Sequence, residues 1–174
     1  MSLSRSVLAG LLPVLGLAAC APTLDWREVR PEGSGAVALF PCKPDSQART
    51  VTLAGAPVRL TLLACKAGDI TWALAHADLA DPARVGAALA ELRAAAAANL
   101  GAVAPRELPL KLDGATPNPA SGRVELSGRL PDGAPVQEQQ ALFAKGTRVF
   151  QATALGERLG AETLEPFFGG LRLP

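Results

Sequence analysis

Few side chains in this 174-residue chain are suited to chemistry beyond packing and solvation: three cysteines, one histidine and a scatter of carboxylates. The histidine lies in the stretch His76-Ala-Asp-Leu-Ala-Asp81. On an extended strand His76 and Asp78 point the same way, as a metal site or an acid–base pair requires. The sequence completes neither chemistry. Catalysis calls for a positioned nucleophile, an orienting group or a third ligand, and none is spaced to serve. Asp78 reads as the end of a strand and Asp81 as a helix cap. Gly33-Ser34-Gly35 is not Gly-x-Ser-x-Gly, and no strand-to-helix elbow surrounds it. Gly156-Glu-Arg-Leu-Gly160 lacks the Lys-Ser/Thr of a phosphate loop and reads as a turn. Trp26 and Trp72 sit among apolar strand neighbours and read as core, and the polar, proline-broken loop 113–119 reads as solvated. The cysteines Cys20, Cys42 and Cys65 contain no Cys-x-x-Cys, and the two isolated cysteines Cys42 and Cys65 with one histidine cannot build a four-ligand zinc site of the usual kind. No catalytic, cofactor-binding or metal-ligating residue is expected.

The N-terminus explains one cysteine. Residues 1–6 carry a single charge, Arg5, and the 13 residues from Val7 to Ala19 are apolar or small apart from Pro13. A membrane-spanning helix needs roughly 20 apolar residues, so this run is too short to cross. A charged start, an apolar middle and small residues at the end describe an export signal. Its last four residues, Leu17-Ala-Ala-Cys20, resemble the lipobox of bacterial lipoproteins. The resemblance implies that the Cys20 thiol receives a diacylglyceryl group, that the leader 1–19 is removed, and that the new amine is acylated. Two or three acyl chains hold a protein on a membrane, whereas one, at about 0.8 kcal/mol per buried CH₂, holds it only marginally. The next residue is Ala21, not Asp, and the same resemblance then points to the outer membrane facing the periplasm. An ordinary leader cut near Ala19 and an uncleaved anchor are the alternatives.

Lipidation of Cys20 leaves Cys42 and Cys65, and export to an oxidising compartment favours a disulfide between them. The 22 residues they enclose correspond to about 3 kcal/mol of stabilisation in the chain-entropy account. Cleavage removes Arg5 and no acid, so the mature chain balances 16 basic against 16 acidic residues. Net charge near zero supplies no attraction for nucleic acid. The membrane, through the lipid, and an envelope protein are the expected partners.

Alternation and turn signals lay out the elements. Residues 20–34 read as a lipidated N-terminus and tether, although 24–29 alternates well enough for a short strand. Residues 36–40 form a strand stopped by Pro41 and Pro44. Strands over 49–53 and 57–65 flank Ala54-Gly-Ala56 as a hairpin, and 70–77 follows with Ile70, Trp72 and Leu74 on one face. A helix over about 82–100 starts from Asp81 and Pro82 and stops at Gly101, with Val85, Leu89, Leu92 and Ala96 as its buried stripe. Strands return at 107–112, broken by Pro109 and hence at an edge, and at 123–130, 136–144 and 147–154. A short helix over about 163–171 takes Thr163 as N-cap, because Pro166 suits only a first turn, and buries Leu164, Phe167, Phe168 and Leu171.

Strands, long helix, strands and short helix predict an α+β domain over 35–174, with an antiparallel sheet of six to seven strands. The stretch "AVALFPCKP" (36–44), the paired strands and helix after it, and "RVFQATALGERLGAETLEPFFGGLRL" (148–173) resemble the PsbP-like fold of bacterial lipoproteins such as DcrB. That resemblance implies a non-catalytic accessory or binding module of the envelope. A small-ligand carrier or hydrolase with a cleft between sheet and helix is the alternative.

Overall fold

The computed structural model describes residues 24–102 and 105–174. The expected leader over 1–19 and the lipidation site Cys20 lie outside the described residues. In chain order the elements are β1 (Arg27–Val29), β2 (Ala38–Phe40), β3 (Asp45–Leu53), β4 (Ala56–Ala67), β5 (Ile70–Asp78), a 3₁₀ turn (Pro82–Arg84), α1 (Val85–Leu100), β6 (Arg106–Leu108), β7 (Gly122–Arg129), β8 (Pro135–Lys145), β9 (Arg148–Gly156) and α2 (Ala161–Gly169). Seven strands form one sheet in the order β3-β4-β5-β9-β8-β7-β6, with β1 and β2 paired as a separate ribbon. Every pairing is antiparallel. The fold is α+β.

Short hairpins account for most of the sheet. Between β3 and β4 the chain turns at Ala54 (φ +49°) and Gly55 (φ +79°), the double left-handed step that matches the twist of paired strands. Ala54 bears that conformation with help from the helix: its N–H donates to Glu91 Oε2 at 2.8 Å, and its carbonyl accepts from Arg84 Nε at 3.1 Å. Two meanders result, β3-β4-β5 and β6-β7-β8-β9, and they join where β5 pairs with β9, His76 opposite Phe150.

The two faces of the sheet bury different side chains. One packs Leu63, Trp72, Leu74, Phe143 and Phe150 against α2 and the β1–β2 ribbon. Phe167 of α2 meets Trp72 edge-on at 5.3 Å and Phe40 at 5.4 Å, and Phe143 stacks on Phe150 at 5.0 Å. Such pairs add to the burial of their area. The other face takes α1, whose Val85, Ala88 and Leu89 lie on Ala77, Leu142, Ala144 and Val149. Small residues on both sides let the helix approach closely. Its last carbonyl, from Leu100, lies so near the β7 backbone that a Cβ on Gly128 would be 2.1 Å from it. Leu92, expected in the buried stripe, is half-buried, and Ala88 and Leu100 complete the contact instead.

Several boundaries differ from expectation for local reasons. Leu24 and Trp26 pack on the main core and Ser34 is fully buried, so the segment read as tether belongs to the folded unit from residue 24 onward. The first turn of the long helix, Pro82–Arg84, is 3₁₀, with Asp81 accepting from the Ala83 N–H at 2.9 Å. Asp81→Ala is expected to cost about 1 kcal/mol, read as a lower urea midpoint with an unchanged slope. The second helix runs from Ala161, not 163, and Gly160 is its N-cap: the Gly160 carbonyl already takes the N–H groups of Thr163 (3.1 Å) and Leu164 (3.2 Å). Thr163 is therefore inside the helix and caps nothing. Pro166 stands in the interior, where its missing N–H leaves only the Glu162 carbonyl, at an exposed residue, without a helical partner. Leu171 is buried beyond the end of the helix.

Candidate functional site

The expected disulfide is present. Cys42, just after β2, is bonded to Cys65 of β4, their Cα atoms 6.1 Å apart. It ties the ribbon and the entry to the sheet onto the strand that lies against Trp72, since Cys65 is in register with that residue.

His76 and Asp78 do share one face of β5, and the fold surrounds them with side chains from three other segments. His76 lies opposite Thr61 on β4 and Phe150 on β9. Its ring stacks over Phe150 at 6.2 Å, so the aromatic core forms the floor. Arg148 enters beside Asp78, its register partner on β9, and Arg59 reaches in from β4. The turn 31–34 closes the far side with Glu32 and Gly33. The cavity holds about 280 Å³ and is lined by Glu32, Gly33, Arg59, Thr61, His76, Asp78 and Arg148. A second recess of about 390 Å³, bordered by Ser46 and Ala48, shares Glu32, Arg59 and Thr61 with it.

Burial and bonding fix the state of each group. His76 is buried, and its Nε2 has no hydrogen-bond partner. Burial first, and the Arg148 charge second, hold its imidazole below the ordinary 6.5, so the neutral ring prevails at pH 7. Asp78 Oδ1 accepts from the Thr147 hydroxyl at 2.6 Å and from the Ala80 N–H at 2.9 Å, and Oδ2 faces Arg148 Nε at 3.6 Å. The Thr147 and Ala80 bonds, with Arg148 adding to them, keep its carboxyl ionised below the usual range. Asp78 thus terminates the strand and orients Arg148. Among the described residues no three His, Cys, Asp or Glu side chains converge as a metal site.

The remaining sequence candidates are structural. Ser34 is fully buried: its Oγ donates to the Pro31 carbonyl at 2.7 Å and accepts from the Ala36 N–H at 3.0 Å, which closes the turn that carries Glu32. Trp72 is fully buried, with the half-buried Trp26 edge-on at 5.8 Å. Residues 157–160 connect β9 to α2. The loop 113–119 is pinned, not free: the Thr116 N–H donates to the Ala144 carbonyl at 2.7 Å, and Thr116 Oγ1 accepts from the Gly146 N–H at 2.9 Å.

Sequence reasoning missed two groupings. Arg59, Arg148 and Glu32 meet at His76 from segments far apart in the chain, and no local pattern marks them. A second ensemble links β6, β7, β8 and α2. Arg106 pairs with Glu125 at 2.8 Å and Gln139 donates to Glu125 at 2.9 Å. Arg123 donates to Gln139 at 2.8 Å, pairs with Glu165 at 2.9 Å and lies 4.1 Å over the Phe168 ring. In that ensemble the Arg123 guanidinium is engaged on three sides and serves to dock the helix. No family model matches this chain, and no curated protein matches it.

Proposed function

We propose that the protein is a lipid-anchored, non-catalytic module of the bacterial envelope, attached through Cys20 and facing the periplasm from the outer membrane, where it binds or scaffolds another envelope component. The observation that carries this reading is the stretch Leu17-Ala-Ala-Cys20 at the end of a short apolar leader. The Cys42–Cys65 bond supports it, because disulfides persist in oxidising compartments. With Cys20 acylated, all three cysteines have an assigned chemistry. The non-catalytic part rests on the resemblance of 36–44 and 148–173 to the PsbP-like fold, which mostly serves as an accessory or binding module.

The test is the mass of the mature chain purified from membranes. An N-terminal peptide that begins at Cys20 and carries a diacylglyceryl group plus an amide-linked acyl chain is expected. A peptide with an unmodified Cys20 thiol overturns the reading, as does an intact leader.

A further inference from the structure

The cleft at His76 holds more hydrogen-bond donors than acceptors. Asp78 is spent on Thr147, Ala80 and Arg148. Arg148 turns Nε toward Asp78 and one terminal nitrogen toward the Ser34 carbonyl at 3.5 Å, which leaves its other terminal nitrogen unclaimed. Among the described residues Arg59 forms no ion pair and the Thr61 hydroxyl no hydrogen bond. His76 contributes a buried ring whose Nε2 is unpartnered. The carboxylates that face these donors are the ionised Asp78, already bonded to Thr147 and Ala80, and Glu32, exposed at the rim.

We propose that this cleft binds a small oxyanion, the carboxylate or phosphate group of a solute, between Arg59 and Arg148, with the Thr61 hydroxyl as a neutral partner and the His76 ring in the cavity wall. Guanidinium groups from two strands give the charge-assisted bonds that such a group recognises. The 280 Å³ cavity admits the anionic head, and the adjoining recess past Ser46 and Ala48 leaves room for the rest of the molecule. Glu32 and the ionised Asp78 both oppose the anion and set a limit on its affinity. The groups that face the ring are Arg59 from β4, Arg148 from β9, Asp78 from β5 and Glu32 from the turn 31–34. An anion placed among them favours the imidazolium, so binding takes up a proton and is tighter at pH 6 than at pH 8. The site is built from strands and a turn downstream of residue 24, and it stands or falls independently of the lipid on Cys20.

His76 is the only histidine in the chain, which makes its ring signals unambiguous in proton NMR of the full mature protein without a histidine tag. Inorganic phosphate and acetate are titrated separately, each against chloride at matched ionic strength. A saturable shift of the His76 ring signals and an upward move of its titration midpoint are expected with one or both oxyanions. Response to phosphate alone identifies a tetrahedral ligand, and response to both admits carboxylates. Arg59→Gln, at an exposed rim position, is expected to weaken binding roughly tenfold, and Glu32→Gln to tighten it several-fold. The absence of a saturable response to either anion overturns the proposal. So does a response that chloride reproduces, or one that Arg59→Gln leaves unchanged in a variant whose spectrum is otherwise native.

Discussion

Glu138→Gln is expected to stabilise the protein at pH 8 relative to its effect at pH 4 by about 3 kcal/mol. Glu138 lies on β8, only 8% exposed, between Leu126 of β7 and Leu155 of β9. Among the described residues no cation pairs with it, and burial alone pushes its carboxyl up to about 7 from an ordinary 4.5. A carboxyl whose folded value is raised binds its proton more tightly when folded. Its contribution to stability is therefore complete below pH 4.5 and is lost as the pH rises through 7. Glutamine keeps the shape, never ionises, and removes that loss. Urea unfolding of both proteins at several pH values between 4 and 8 measures it: the curves should diverge above pH 4.5 and run parallel above about 7. Curves parallel throughout would show that Glu138 is solvated in the folded state. His76 acts with the opposite sign. Its folded value is depressed, so its contribution is complete above 6.5 and is lost as the pH falls below that. In the Glu138→Gln variant the His76 dependence should stand out on the acid side, where the two groups otherwise offset each other.

The second large effect concerns Cys42 and Cys65. Replacing both with Ala, or reducing the native protein, is expected to cost about 3 kcal/mol, or roughly 6–12 °C in melting temperature for a domain of this size. The bond spans a sequence separation of 23 and restricts the unfolded chain over that loop. In the folded chain it joins the segment after the small β1–β2 ribbon to the fourth strand. A two-stranded ribbon has little stability of its own. The ribbon keeps other ties: Phe40 packs against Phe167, and Val37 exchanges backbone hydrogen bonds with Arg172 at 2.8 and 2.9 Å. The variant should therefore stay folded, with faster amide exchange over residues 27–40. Calorimetry with and without reductant checks the size of the effect. A melting temperature that reductant does not change would count against the bond as a stabilising cross-link.

Much of the fold was legible because neighbours in sequence are neighbours in space. The β3–β4 hairpin rests on a two-residue turn and period-2 alternation. The β4–β5 hairpin and the β7-β8-β9 meander have turn signals of the same kind. Asp81, Pro82 and Gly101 bracket the long helix, and Pro109 ends β6 at the sheet edge, where a missing N–H is tolerated. The second helix was misplaced by two residues because Pro166 was read as a first-turn residue. In the structure the exposed surface there lets water take the carbonyl that the proline strands.

What the sequence alone determined was carried by residues near one another in the chain: the Cys42–Cys65 pair, the local hairpins and the ends of the long helix. The tertiary structure alone decided what β5 and β9 bring together. Those strands lie at the ends of two separate meanders, and their pairing is chosen by burial of Trp72, Leu74, Phe143 and Phe150 on one shared face, not by a turn. That pairing sets Arg148 beside Asp78 and places His76 in the wall of a cavity with Arg59 and Glu32. It also carries β8 with β9 and buries Glu138 without a counter-charge. Hydrophobic burial acts at any separation along the chain and leaves no periodic mark at the polar residues it assembles. A cluster drawn from residues 32, 59, 76 and 148 therefore becomes visible only once the sheet is closed.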